Sequence, residues 1–269
     1  FKQKTAYEIV SRDWSSDVCS SDLFHFWSPD VYQGSPTLVT AFMSTVVKTA
    51  AMAAFIRLFS VFAPNNVAGS WTTILAVISG ASLLIANFTA ATQQSVKRML
   101  AYSSISHAGF MLLAIVSNTT NSFSAILYYT MAYSFGSIAV FAILNTVARA
   151  QDGDETFSAF HGLGKRNPFV AACMVIALLS LSGIPITSGF FAKYFVLSGL
   201  FGKGFSWLII TAILCSAVGV YYYFKLIIAM YFREPKKAEA ISFEPVHLVA
   251  IAITTAFTIA LGLFPESIL

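Results

Sequence analysis

The 269 residues are 57% hydrophobic and only 10% charged, with a formal net charge of +4 and a mean hydropathy of +0.73. That balance excludes a soluble globular domain and indicates an integral membrane protein. Its long apolar runs are continuous rather than alternating, so the expected fold class is all-α and not a β-barrel.

Residues 1–23 read FKQKTAYEIVSRDWSSDVCSSDL, with three basic and four acidic groups and no continuous apolar core. A signal peptide is therefore excluded. Ser15-Ser16-Asp17 recurs as Ser20-Ser21-Asp22 without a turn, heptad or ligand rationale. The segment resembles translated sequencing-adapter read-through, and it is expected to be a non-native leader without a stable fold. A polar N-terminal tail is the alternative. The membrane domain is then expected over 24–269.

Seven segments are long and apolar enough to cross a membrane of about 30 Å, near 37–62, 71–92, 99–117, 123–148, 168–200, 205–232 and 246–264. Turn and breaker residues separate them: Pro64-Asn65-Asn66, the run from Asn118 to Asn121, and Asp152-Gly153-Asp154. Basic residues alternate between connectors. Lys97, Arg98, Arg149, Lys165, Arg166, Arg233, Lys236 and Lys237 occupy the even connectors, against Arg57 and Lys203 in the others. The positive-inside rule puts the even connectors in the cytoplasm and the C-terminus outside.

The fifth segment is too long for one crossing and is interrupted by Leu181-Ser182-Gly183-Ile184-Pro185-Ile186-Thr187-Ser188-Gly189. Pro185 cannot donate a backbone hydrogen bond, and Gly183 and Gly189 flank it, so a discontinuous helix is expected there. Freed backbone groups at membrane depth must face protein or water, a common way of lining a transport path. A proline kink without a role is the alternative.

Four ionisable residues remain at membrane depth: Lys48, His107, Lys193 and Lys225. No acidic residue of this sequence joins them, which argues against simple buried salt bridges. Lys48 is the twelfth residue of its segment, about 16 Å along the helix and near the bilayer centre. Ser44 and Thr45 lie one turn before it and offer hydroxyls for a water or a proton. Lys193 follows the break by eight residues, where a disrupted helix admits water. His107 shares a face with Ser103 and Ser104, and an imidazole among hydroxyls relays protons in either direction. It could equally be a hydrogen-bonded packing residue. Lys225 lies eight residues from Arg233, close enough for partial snorkelling, with a role at a channel mouth left open. Lys97 and Arg98 read as topology anchors. Cys19, Cys173 and Cys215 form no ligand cluster, and neither a disulfide nor a metal site is expected. No phosphate loop, zinc motif or activated nucleophile is evident, so no cofactor is expected in the chain.

In order, the stretches FHFWSPDVYQGSP, VVKTAAMAAFIRLF, SVKRMLAYSSISHAGFMLLA, LSLSGIPITSGFFAKYFVL and VGVYYYFKLIIAMYF closely resemble the antiporter-like, proton-translocating membrane subunits. That family spans respiratory complex I, the NADH:quinone oxidoreductase, and multi-component cation/proton antiporters. The resemblance covers 24–269. It implies a fold of fourteen core helices with two inverted repeats, each holding one discontinuous helix, and the spans here match helices 8 to 14. Lys48 then matches the central lysine joining two half-channels, Lys193 the lysine on the second discontinuous helix, and His107 a residue between them. Lys225 has no motif assignment.

The resemblance also implies that a glutamate and a lysine of the first half are missing, so the fragment alone is expected to be inactive. Phe264-Pro265-Glu266-Ser267-Ile268-Leu269 reads like a terminal segment cut short. The implied enzyme moves protons through a bacterial inner membrane, coupled to quinone reduction elsewhere. NADH, FMN, iron–sulfur clusters and quinone would be bound by other subunits. Implied partners are M-type and small membrane subunits and the lipid bilayer, with no nucleic acid. A sodium/proton antiporter subunit and a purely structural membrane subunit are the competing readings.

Overall fold

The structure, a computed structural model, describes residues 27–62, 68–117, 119, 121–234 and 241–265. Residues 1–23 and the Pro64-Asn65-Asn66 connector lie outside the described residues. A short amphipathic turn, α1 (Ser28–Gly34), precedes α2 (Thr37–Phe42), the π-helical turn Met43–Val47 and α3 (Lys48–Phe62), which run on as one rod. There follow α4 (Ala68–Thr92), α5 (Val96–Ser117), α6 (Ser122–Ala150), a 3₁₀ turn at Phe157–Phe160, α7 (Leu163–Arg166), α8 (Pro168–Ser182), α9 (Ser188–Leu200), α10 (Ser206–Phe232) and α11 (Pro245–Leu263). Proline occupies the first turn of α1, α8 and α11, where its missing N–H has no helical partner to lose.

Among the described residues, six helical stretches are long and apolar enough to cross a membrane. The segment at 168–200 is discontinuous, as expected, and forms a pair of shorter helices. Helices α8 and α9 have 15 and 13 residues, about 22 Å and about 20 Å at 1.5 Å per residue, so neither alone spans about 30 Å. The stop is chemical. Gly183 adopts the left-handed conformation (φ 81°) and donates its N–H to Leu179 O and Ser180 O, while Ile184 N–H also reaches Leu179 O. This Schellman cap satisfies the last carbonyls of α8, and Pro185 then prevents the helix from resuming.

Helix α5 is the centre of the bundle. Of its most apolar stretch 94% is buried, against 28% for α11 and 39% for α10, which leave most of their apolar surface exposed. It packs on α4, α6 and α9, with α1 against its first turns. Around α6 pack α2, α8, α9 and α11. The connector 151–167 is an ordered cap rather than a plain loop: Asp152 (φ 55°) and Gly153 (φ 85°) make the turn, and buried Phe157, Phe160 and Leu163 anchor it beneath α10.

Candidate functional site

Lys48 opens α3 immediately after the π-helical turn, which inserts its extra residue one turn before the lysine. Its Nζ donates to Ser104 O (2.6 Å) and to Ser104 Oγ on α5. The Tyr133 ring of α6 lies below the ammonium, its centroid 5.5 Å from Nζ. Ser44 and Thr45 both donate to Ala41 O, at 3.0 and 2.7 Å, and so satisfy the carbonyl of their own distorted turn while their lone pairs stay available as acceptors. Ser44 also faces the Tyr133 hydroxyl, together with Ser104 and Ser137.

His107 is buried three residues beyond Ser104 on α5. Its Nδ1 pairs with Tyr129 OH (2.8 Å), its Nε2 with Tyr223 OH (3.4 Å), and the Tyr133 ring lies tilted against it at 4.8 Å between centroids. Ser103 reaches His107 through the Tyr223 hydroxyl, with which it shares a hydrogen bond. Next to it, Ser106 accepts from Asn87 (2.7 Å), and Asn87 in turn accepts from Tyr222 OH (3.3 Å). Ser103 and His107, predicted from their spacing, are thus joined by one tyrosine of α10, while Tyr129 of α6 holds the other imidazole nitrogen.

Lys193 points from α9 back into the break. Its Nζ donates to Ser182 O (2.6 Å), one of the last carbonyls of α8, and to Ser216 Oγ of α10 (2.9 Å), with the Phe110 ring centroid 5.1 Å away. The glycines make room for this. A Cβ on Gly183 would stand 2.8 Å from Lys193 Cδ, and one on Gly189 would stand 1.8 Å from Ser180 O. Ser180 and Ser188 share a hydrogen bond (3.0 Å) across the break. A cavity with ≈ 10 Å³ of space for a water centre lies among His107, Tyr129, Tyr133, Ser180, Gly189 and Ala192. It is the size of one water and carries several polar groups, so a single water can bridge the imidazole and the break.

The structure therefore brings Lys48, Ser104, Ser103, His107 and Lys193 into one buried polar seam bordered by Gly183 and Gly189, while Pro185 lies exposed in the turn of the break. Lys225 is placed elsewhere. Its Nζ donates to Gln93 O (3.2 Å), just past the C-terminus of α4, and lies over the Phe157 ring (4.5 Å). That is the favourable end of a helix dipole for a cation. Tyr129, Tyr133, Tyr223, Ser216 and Ser180 were not singled out from sequence. In a chain with 11 tyrosines among 25 phenylalanines, only the run Tyr221-Tyr222-Tyr223 beside a lysine marks one of them out. Among the described residues, no set of three His, Cys, Asp or Glu side chains could hold a metal ion.

A discontinuous helix set among long apolar helices, with two lysines buried in the bundle, defines a polytopic helical membrane protein. A family profile described as NADH:quinone oxidoreductase/Mrp antiporter, transmembrane, matches residues 19–219, and the chain belongs to that family. A curated relative, NADH-quinone oxidoreductase subunit N of Flavobacterium johnsoniae, is 44% identical over 253 residues, 91% of this chain and 54% of the relative. The chain thus spans about half the length of the curated relatives it matches. Among solved structures, respiratory complex I from Thermus thermophilus with bound aureothin aligns with TM-score 0.78 at 34% identity, over 91% of this chain and 53% of that one. The Mrp complex from Dietzia aligns with TM-score 0.79 at 20% identity, over 90% and 53%, a likeness of fold.

Proposed function

We propose that this chain forms the second, lysine-bearing half of a subunit N-type membrane subunit of a proton-pumping NADH:quinone oxidoreductase. In this reading it lies in a bacterial inner membrane, with its C-terminus on the outer face, beside other membrane subunits. The redox cofactors and quinone are carried by those other subunits. Proton transfer between Lys48 and Lys193 runs through Ser104, Tyr133, His107 and the water-sized cavity.

The observation that carries this reading is the manner in which Lys193 is held. A carbonyl and a hydroxyl hold its amine. The hydroxyl turns to donate when the amine is neutral and accepts when it is charged, so either protonation state is satisfied in place. A lysine buried only for packing is ordinarily locked to a fixed carboxylate. With both lysines charged, their mutual repulsion disfavours the doubly protonated state, so the loss of one proton favours the gain of the other.

The test is a full-length protein carrying Lys193→Ala, assembled in its complex. Protons moved per electron in inverted membrane vesicles are expected to fall, and a normal ratio would remove the assignment. Normal conduction with both Lys48→Met and Lys193→Met would instead leave a structural subunit. Sodium-driven proton movement without quinone reduction would make it an antiporter subunit.

A further inference from the structure

Lys97 does not behave as a solvent-facing topology anchor. It is 3% exposed at the first turn of α5, and its Nζ donates to Ser35 O (2.8 Å) and to the Glu155 carboxylate (2.8 Å). Glu155 acts twice. Its backbone carbonyl accepts the N–H of Val96 (2.9 Å), the first residue of α5 and a donor with no partner inside the helix. Its neighbour Thr156 forms an isolated antiparallel bridge with Ser95. Asp154 braces the same turn by accepting from Thr156 N–H (2.9 Å) and from the Ser158 hydroxyl (3.0 Å). On the other side, Ser35 is no loose end. Its hydroxyl donates to Val31 O (2.6 Å) and meets Thr40 (3.3 Å), which ties α1 to the first turn of α2.

Three segments therefore converge on one buried amine: the α1–α2 junction, the start of α5, and the connector after α6. Lys97 and Ser104 are seven residues apart on α5, two turns along the same face, about 10.5 Å at 1.5 Å per residue. Ser104 is where Lys48 docks. The same two rods are thus pinned to each other at two levels on one face, first through Ser35 and Lys97 and then through Lys48 and Ser104. The π-helical turn lies between these two pins on the α2–α3 side, so the spacing between them depends on that turn.

We infer that Lys97 and Glu155 are positioning residues whose half-buried ion pair sets the axial register of α2 and α3 against α5, and with it the docking of Lys48 on Ser104. The inference rests on the relay reading above. Glu155 belongs to a connector outside the seam and Lys97 touches none of the proton-carrying groups, so both act at a distance through helix placement. Removing the negative charge leaves the buried ammonium without compensation, and a small axial shift of α5 is the way to rehydrate it.

The experiment uses the full-length protein in its assembled complex with Glu155→Gln, Lys97→Met and Lys97→Arg, reading protons moved per electron for each assembled complex. Glu155→Gln and Lys97→Met are expected to lower that ratio at least about twofold, because the first leaves the buried ammonium without its counter-charge and the second leaves the half-buried carboxylate without its cation. Lys97→Arg keeps the charge and the donors and is expected to stay near wild type. Should Glu155→Gln assemble poorly, Glu155→Asp, which withdraws the carboxylate by one methylene, gives the same readout. A second measurement is independent of transport: a short bismaleimide bridging Gln33→Cys and Arg98→Cys, whose parent side chains meet at 3.2 Å on the exposed side of the same junction. Its yield is expected to fall in the Glu155→Gln background. A normal proton ratio in both Glu155→Gln and Lys97→Met, or an unchanged cross-link yield, overturns the inference. If Lys193→Ala pumps normally while the cross-link still responds to Glu155→Gln, the transport reading falls and the register role stands.

Discussion

The Tyr223 hydroxyl sits between Ser103 and His107, the only direct link from that serine to the imidazole among the described contacts. Tyr223→Phe keeps the ring and its burial and removes one oxygen. A hydrogen bond of this kind is worth about 1 kcal/mol net, roughly a fivefold change in rate if it acts on the transfer step. The expected outcome is a several-fold slower proton movement at unchanged protein level, measured by acidification of inverted vesicles, with exposed Tyr221→Phe as the unaffected control. An equal rate in both variants would leave His107 as a packing residue. At this scale the sequence exposed Lys48, Lys193 and His107 because charge in a continuous apolar run stands out. It did not expose Tyr129, Tyr133 or Ser216, since a tyrosine or serine on a lipid-facing helix is spelled the same as one aimed into the seam. For Ser44 and Thr45, helical spacing put them beside Lys48, and the structure adds that both hydroxyls donate one turn back to Ala41 O.

The discontinuous helix was legible because its two causes are local. Gly183 alone accepts the left-handed cap without strain, and Pro185 alone forbids continuation. What the spacing does not reveal is how tightly the two halves close. Gly189 lies so near α8 that an added Cβ would stand 1.8 Å from Ser180 O, a backbone atom that cannot swing aside. Gly189→Ala is therefore expected to pry α9 from α8, at a cost of about 1–3 kcal/mol or more, typical of overpacking. Gly34→Ala, where nothing lies within 4 Å of the new methyl, is expected to be neutral. Thermal unfolding in detergent measures both, and equal melting temperatures would show that α8 and α9 are not held in this contact. Lys225 is decided at the same level: its neighbours Gln93 and Phe157 come from a helix end and a connector far away in sequence.

Across the whole molecule, exposed Lys165 on the capped connector and exposed Lys203 between α9 and α10 stand at opposite ends of the α8–α9 pair. With the even connectors cytoplasmic, a membrane-impermeant maleimide is expected to label Lys203→Cys in intact spheroplasts and Lys165→Cys only in inverted vesicles. The native Cys173 and Cys215 are buried and should stay silent, and Cys19 is replaced by serine in both variants. The reverse pattern would invert the topology. The sequence by itself determined the membrane class, the crossings, the break and the buried charges, because each is a property of composition, periodicity or a covalent constraint on one residue. The tertiary structure alone decided which hydroxyls meet those charges, that α5 is the sheathed centre, and that Lys97 is buried on Glu155 rather than exposed. These depend on which faces of distant helices are pressed together, and in a chain that is apolar on nearly every face, sequence pattern carries little record of that choice.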